Sequence, residues 1–389
     1  MVYWRLSGFY LFYFASLGAI LPYWSLYLAG NGFNGEAIAQ LTALMMMTKI
    51  VSPNLWGWVA DRTGRRMRVV QLGSLAAALS FAGVYCGKGF WWMAVVMMAF
   101  SFFWNASLPQ VEVTTLNHLG DHTHRYSAIR LWGSIGFIAT AAALGPLLDR
   151  FGIALVPAVL LALFVAIWLS SLSVPEREVG VFSQDHVPLR EVVRHPQVVA
   201  LLTVCFLMQA SHGPYYTFYS LYLQSEGYSR GAIGQLWALG VSAEIGVFLV
   251  MHRLVPRIGL RRLLLGSLVI AALRWLLIGY FVGNLVMLTA AQLLHAATFG
   301  VYHATAIQLI HRHFRGRHQG RGQALYSSLS FGAGGAAGAL YSGLLWAHGG
   351  GQAAFAVAAA VSGLAWLLAW RRLRFEESKP VAVAEIDVP

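Results

Sequence analysis

Long apolar runs alternate with short polar connections from the start of the chain to about position 371. Twelve runs reach the roughly 20 residues an α-helix needs to cross a bilayer. They predict helices at 4–29, 36–60, 68–87, 90–118, 126–148, 152–173, 197–223, 231–252, 262–281, 285–311, 323–346 and 352–371. Lipid offers backbone N–H and C=O groups no partners, so such runs fold as helices or as a closed barrel. Period-2 alternation is missing, which argues against the barrel and for an all-α membrane protein. One connection is longer. The stretch 174–196 is polar and holds Pro175, Pro188 and Pro196, and it reads as a linker between six-helix bundles at 1–173 and 197–371. Residues 372–389 form a short polar tail.

The two halves align at one constant offset. Ser25–Leu44 (SLYLAGNGFNGEAIAQLTAL), shifted by 195, lies on Ser220–Leu239 (SLYLQSEGYSRGAIGQLWAL). The same shift places Arg62 and Gly64 on Arg257 and Gly259 in the next loop. A register kept over two helices and a loop implies a tandem repeat, so the twelve transmembrane helices form two pseudo-symmetric six-helix bundles. Parallel repeats of this kind put a binding site near the bilayer midplane, between the halves.

Composition agrees with the pattern. Hydrophobic residues make up 58% and charged residues 11%, against about 25% charged in soluble domains. Mean hydropathy is +0.61. The net charge of +12 is mainly a topology signal. With the N-terminus inside, 21 Lys and Arg fall on cytoplasmic segments, three outside (Lys88, Arg150, Arg230) and three within helices. Basic loops stay inside, so a bacterial-type inner membrane with both termini cytoplasmic is expected. The Arg clusters then anchor the chain beside anionic lipid, and nucleic acid is not an expected partner. Cys86 and Cys205 both lie in helices and imply no disulfide framework. The first run is too long for a cleavable signal peptide and leads straight into the membrane domain.

Ionisable groups inside membrane helices point to function. Of fifteen acids, Glu112 and Glu244 lie deep in predicted helices, with the bases Lys49, Arg130 and Arg274 and, on helix 10, His295 and His303. Three positive charges against two negative favour an anionic ligand. The shift of 195 places Lys49 on Glu244, so the two are expected to face one central cavity and to be coupled; the alternative pairs each within its own bundle. Glu112 and Arg130 either bind substrate or form a structural salt bridge near the helix ends. His212, Tyr215, Tyr216 and Tyr219 share a face of helix 7 by their i, i+3, i+4, i+7 spacing, and Trp104 and Asn105 lie on helix 4. Such faces suit stacking and hydrogen bonding with an aromatic or sugar-like ligand, or simple helix packing. Tyr23, Trp24 and Tyr27 read as packing or interfacial residues. The run Phe331–Leu340 (FGAGGAAGAL) supplies small residues that let helices approach.

The loop Gly57–Arg66 (GWVADRTGRR) resembles the signature loop of the major facilitator superfamily, G-x-x-x-D-R-x-G-R-R. The resemblance implies that Gly57, Asp61, Arg62, Gly64, Arg65 and Arg66 form a cytoplasmic gate loop, its acid meeting a helix N-terminus and its arginines bridging neighbouring helices. The second copy has Pro256 in place of Asp61. The charge layout is similar to lactose permease-type proton symporters. Glu112 and Arg130 match that group's substrate-binding pair on helices 4 and 5; Glu244, Arg274 and His295 match its Glu, Arg and His on helices 8, 9 and 10. Thr298 stands where that group carries a second, proton-bearing acid. Lys49, the start of helix 1 (Tyr13–Leu28, YFASLGAILPYWSLYL), and His295-x-x-x-Phe299 followed by His303 resemble the phenylpropionate permease family.

Walker motifs, metal-ligand clusters and nucleophile elbows are missing, which disfavours an ATP-driven pump or a membrane enzyme. No cofactor is expected. The resemblance implies a proton-coupled secondary transporter, a monomer by the family's usual form, with an aromatic monocarboxylate such as 3-phenylpropionate as the suited substrate. Lys49, Trp104, Asn105, Glu112, Arg130, His212 and Tyr216 are the expected substrate-binding residues. Glu244, Arg274, His295 and His303 are expected to couple protons. A sugar or nucleoside symporter, a drug exporter and a non-transporting membrane sensor are the rival readings.

Overall fold

The computed structural model describes residues 2–120, 122, 125–177, 189–314 and 318–373. Residues 178–188 of the expected linker and nearly all of the expected tail lie outside the described residues. Among those described the fold is all-helical. The helices are α1 (Val2–Gly30), α2 (Gly35–Thr63), α3 (Arg66–Ala82), α4 (Phe90–Trp104 continued by Ser107–Leu119), α5 (Tyr126–Phe151) and α6 (Val156–Leu172). A short helix, Leu189–Arg194, precedes α7 (Pro196–Ser211 continued by Gly213–Ser225). Then come α8 (Arg230–Ile258), α9 (Leu260–Tyr280), α10 (285–313), α11 (318–349) and α12 (351–372). The last two run together except at Gly350, whose φ of 63° breaks the helix.

Ten of these segments, α11 and α12 counted as one, are long and apolar enough to cross a membrane. The twelfth pass, α2, is equally long at 29 residues but carries Glu36, Gln40, Lys49, Asn54, Asp61 and Arg62. Large apolar side chains such as Trp91, Leu249 and Val286 stay more than 70% exposed, as a surface solvated by acyl chains requires.

The repeat is visible in local structure. Asn34 caps α2 by accepting from the Ala37 amide at 2.9 Å, and Ser229, 195 residues on, caps α8 by accepting from Ala232 at 3.1 Å. Gly32 and Gly227 share a φ of 87°, and Gly64 and Gly259 also sit at positive φ. Those turns need glycine because a Cβ disfavours that region.

Four of the expected continuous helices are interrupted. α4 breaks at Asn105 and Ala106, α7 at His212. α10 holds a π-helical stretch at Ala296–Val301 and α11 another at Ser328–Gly334. Discontinuities of this sort mark ligand sites in transporters, and π-bulges concentrate at functional positions.

Helix contacts depend on small residues. A Cβ on Gly338 would approach the Cα of Gly213 to 2.9 Å, where α11 crosses α7. Gly18 and Gly136 meet the backbone of the partner helix in the same way between α1 and α5. We term the helix ends that carry Arg62, Arg65, Arg66, Arg257, Arg261 and Arg262 the basic face. The two halves meet mainly toward the other face, where α5 packs on α8, α2 on α11 and α1 on α7.

Gly338→Ala should therefore lower the thermal midpoint of the purified protein by several degrees, the effect of about 1–3 kcal/mol of overpacking. The same change at Gly363, where nothing lies within 4 Å of the new Cβ, should leave it level or raise it. Equal midpoints would refute the close-approach account.

Candidate functional site

The C-terminal half is organised around Arg274. This guanidinium on α9 is 0% exposed. It donates to the Ala291 carbonyl at 2.9 Å, Thr298 Oγ1 at 3.2 Å and Gln292 Oε1 at 3.4 Å. Its flat faces meet the rings of Tyr215 at 4.2 Å and Trp275 at 4.7 Å. Among the described residues every acceptor is neutral, so the positive charge is hydrogen-bonded but not compensated. Gln292 is the hub: Tyr215 donates to its Oε1 at 2.9 Å, and its Nε2 donates to Tyr219 at 2.6 Å. An amide suits that place because it accepts at one end and donates at the other.

His212 caps both parts of α7 at the break, with Pro214 opening the second part. Its Nδ1 meets the Met208 carbonyl at 2.8 Å, and its buried Nε2 finds no partner among the described residues. The aromatic face expected on α7 does form, but mostly as core. His212, Tyr215 and Tyr219 are fully buried against Trp275, Trp237 and Gln292. Tyr216, stacked on His212 at 5.7 Å, keeps partial exposure. Tyr23 and Trp24 are buried too, so packing explains them rather than an interfacial belt.

One helix away, His295 Nε2 faces Glu244 Oε2 at 3.7 Å, linking α10 to α8. Two glycines bring these helices close enough. A Cβ on Gly240 would meet Gln292 at 3.1 Å, and one on Gly300 would meet Glu244 Cγ at 3.2 Å. The π-stretch of α10 aligns a ladder of rings: His295 stacks on Phe299 at 5.6 Å and Phe299 on His303 at 5.7 Å, each within 13° of parallel. His303 ends the ladder at Tyr326, 3.0 Å from its hydroxyl. The sequence expectation that Glu244, Arg274 and His295 lie together is matched in space, with Tyr215 between them; His303 stands apart, nearer the basic face.

The N-terminal half offers a more open set. Arg130 on α5 covers the Phe14 ring at 3.7 Å. Its charge is near enough to act on Glu112 within its own half and on Glu244 across the interface. Glu112 also bonds the Tyr126 side chain. Of the two readings for Glu112 and Arg130, the salt bridge finds no direct ion pair among the described residues. Lys49 sits midway along α2, half-buried and without an ion pair among the described residues. Among the described residues no ion pair joins Lys49 to Glu244, and the group facing Glu244 is His295 on α10. Beside Lys49, Thr48 links to Ser101 at 3.0 Å and receives the Asn105 amide at 3.1 Å, which fixes the broken middle of α4 against α2. Trp104 stacks on Tyr13 at 4.9 Å, its indole N–H unpartnered among the described residues.

At the basic face Asp61 pairs with Arg66, which also bridges to Gln110 on α4 at 2.7 Å. Arg62 lies over Trp58 at 5.5 Å. Gly64 ends α2 with a φ of 66°. Gly57 lies along α2 facing Gln110, and Arg65 precedes α3. The helix N-terminus here is that of α3, and it is held by Glu176, which accepts from the Met67 amide at 2.8 Å. Asp61 pairs with Arg66 at the start of α3, and Glu176 accepts from the next amide there.

Sequence reasoning missed Gln292, Phe14 and Tyr326. Gln292 had a signal: an amide inside the apolar run Leu288–Leu293, one helical turn before His295. Among the described residues no cluster of His, Cys, Asp and Glu could hold a metal ion.

Set beside known proteins, the chain matches the family described as the MFS_1 like family over residues 3–357. It is 30% identical over 361 residues to the "Probable 3-phenylpropionic acid transporter" of Escherichia coli (strain K12), covering 89% of this chain and 91% of that one. It is 29% identical over 381 residues to the "Maltose permease" of Geobacillus stearothermophilus, covering 94% of each. The crystal structure of a point mutant of the nucleoside transporter NupG superposes with a TM-score of 0.85 over 96% of this chain and 100% of that one at 17% identity, a likeness of fold.

Gln292→Leu should leave Arg274, Tyr215 and Tyr219 short of their shared partner. At about 1 kcal/mol for each of three hydrogen bonds, the purified protein should lose about 3 kcal/mol, read as a fall of several degrees in thermal midpoint. Gln292→Glu keeps acceptors for Arg274 and Tyr215 and should fall less. Should the leucine variant melt with the parent, the hub reading fails.

Proposed function

The chain belongs to the MFS_1 like family and is a transporter of the major facilitator type, and we propose that it imports a small aromatic monocarboxylate, such as 3-phenylpropionate, together with protons. The observation that carries this reading is the Glu244–His295 contact at 3.7 Å, partly open, beside the uncompensated charge of Arg274. A carboxylate and an imidazole facing each other there can exchange a proton without stranding a second bare charge, because intramembrane charges are tolerated when paired or facing water. The relative whose printed name is a probable 3-phenylpropionic acid transporter supports the substrate.

In this reading Lys49 or Arg130 takes the carboxylate, since both are half-buried cations without an ion pair among the described residues. In the same reading Tyr216, Trp104 and Asn105 take the ring, with the buried His212 stacked behind Tyr216, and Glu112 with Tyr126 bounds it toward the basic face. Glu244 carries the proton, with Arg274, His295 and His303 setting when it is held. The basic face is the cytoplasmic one, in an inner membrane with both termini inside, by the bias of Lys and Arg. The gate loop Gly57–Arg66 latches that side, and the chain acts as a monomer amid lipid. Alternating access then moves the site from one side to the other by rocking the two halves.

A second reading is a sugar or nucleoside symporter. The maltose permease relative and the fold of NupG favour it. Hydroxyl-rich substrates would use Asn105, Thr48 and Tyr216, and would compete with labelled phenylpropionate.

Uptake of labelled 3-phenylpropionate into proteoliposomes should exceed that of empty liposomes under an inward proton gradient and collapse with a protonophore. Uptake no better than empty liposomes, from folded protein, removes this substrate and turns the search to sugars and nucleosides. Glu244→Gln should abolish accumulation against a gradient yet spare exchange of labelled for unlabelled substrate; accumulation that survives would exclude Glu244 as the proton carrier. Lys49→Met should raise the half-saturating concentration about tenfold, the loss of one charge-assisted hydrogen bond of about 1.4 kcal/mol.

A further inference from the structure

We propose that Asp149 and the first turn of α8 form a latch that holds the two halves together at the face opposite the basic loops, and that this latch opens each time the halves part there. The inference goes beyond the substrate and the proton, and takes from the proposed function only that the halves move.

Asp149 lies in the last turn of α5, in the N-terminal half. Its Oδ1 accepts from the Arg230 amide at 3.0 Å and its Oδ2 from the Gly231 amide at 2.9 Å, both at the start of α8 in the other half. Ser229 takes the next amide, that of Ala232. A helix start leaves four N–H groups without intrahelical partners. Here two of them are satisfied by a carboxylate from across the interface. The exchange is reciprocal: Arg230 Nη1 donates to the Leu148 carbonyl at 2.8 Å, at the end of α5. An anion on a helix N-terminus and a cation on a helix C-terminus both complement the helix dipoles. Hydrogen bonds also demand short range and direction, so the contact is made or lost as a unit when the helices separate.

The latch sits above a backbone-close contact. Tyr23 donates to the Ala141 carbonyl at 2.5 Å, and a Cβ on Gly145 would meet that hydroxyl at 2.7 Å. Gly234 of α8 has no more room, facing the same hydroxyl and the Ala141 carbonyl.

The repeat shows that the latch is an addition rather than a property of the scaffold. Shifted by 195, Arg230 falls on Gly35 and Asp149 on Leu344. At that second interface α2 keeps its own cap from Asn34 and, among the described residues, receives no carboxylate from the other half. Its contact with α11 is apolar instead: a Cβ on Gly35 would meet the Trp346 ring at 2.6 Å, and Gly343 lies against Ala39, while Trp346 is itself stacked on Phe218 of α7 at 4.6 Å and 9°. The face is thus closed by one polar and one aromatic seam.

Spin labels on Lys88→Cys and Gly283→Cys, in a Cys86→Ser background, place one nitroxide on each half at this face in the full-length protein. Dipolar distance measurement in lipid nanodiscs reads their separation. Asp149→Ala should raise the ratio of long to short distances about tenfold, the loss of a helix cap of about 1.4 kcal/mol. Asp149→Asn, which keeps one acceptor oxygen but loses the charge, should fall between. A parent-like distribution in Asp149→Ala overturns the latch. Where that variant does not fold, Asp149→Asn and Arg230→Ala serve, and parent-like distances in both overturn it equally. The readout is a distance and not a flux, so a wrong substrate assignment leaves it intact.

Discussion

Burying one positive charge without a negative one constrains the whole C-terminal half. Arg274 lies where water does not reach, and among the described residues it meets neutral acceptors only. A buried charge is tolerable when its N–H groups are satisfied and its field is partly taken up nearby. That requirement explains the neighbours. Tyr215 and Trp275 present ring faces, Gln292 and Thr298 supply oxygen, and Gln292 is itself held by Tyr215 and Tyr219. The aromatic face of α7 that reads in sequence as a substrate surface is largely the wall of this cage. Thr298 is informative in the same sense. It stands where lactose permease-type symporters carry an acid, and a carboxylate there would neutralise Arg274. With threonine, Arg274 gains a hydroxyl oxygen and its charge stays uncompensated.

Much of the fold was legible because its causes are local or periodic. Apolar run length gives the spans, and the offset of 195 gives the two halves, down to matched caps at Asn34 and Ser229. The loop Gly57–Arg66 was legible as a motif, and in it Arg66 reaches Gln110 on α4. What escaped depends on geometry that one sequence does not encode as a pattern. Apolar runs read the same whether a helix continues or breaks, so the interruptions at Asn105 and His212 and the π-stretches of α10 and α11 were not foreseen. The offset of 195 sets Lys49 and Glu244 at one depth, but depth along an axis leaves the angle around it free, so the contact of Glu244 with His295 was not legible. Asp149 carries no sequence signal because its partners are the backbone amides of Arg230 and Gly231.

The same glycines that let the halves close also limit where chemistry can be placed. Gly240 and Gly300 bring α8 against α10 and so set the spacing of Glu244 and His295. Gly332, Gly335 and Gly343 bring α11 against α2, with Ile50, Met46 and Ala39 filling the opposite surface. The run Phe331–Leu340 is therefore shared between two contacts, facing α2 on one side and α7 on the other. A helix pinned on both sides moves as a body with its neighbours. That favours a rocking motion of the halves over independent sliding of α11.

A symmetric scaffold with a directional task needs asymmetric chemistry, and the repeat locates it. At one pseudo-equivalent pair of positions the N-terminal half carries Lys49, half-open and without an ion pair among the described residues, and the C-terminal half carries Glu244 against His295. Under the proposed reading, the anion and the proton then bind different halves. Arg130 ties them together: it lies in the N-terminal half, yet its charge reaches Glu244. In that reading an anion drawn to Arg130 would screen the charge that Arg130 turns toward Glu244, so that substrate and proton would favour each other and, by linkage, mutually. Coupling of that kind needs no contact between substrate and proton carrier; it needs one cation placed where both can feel it.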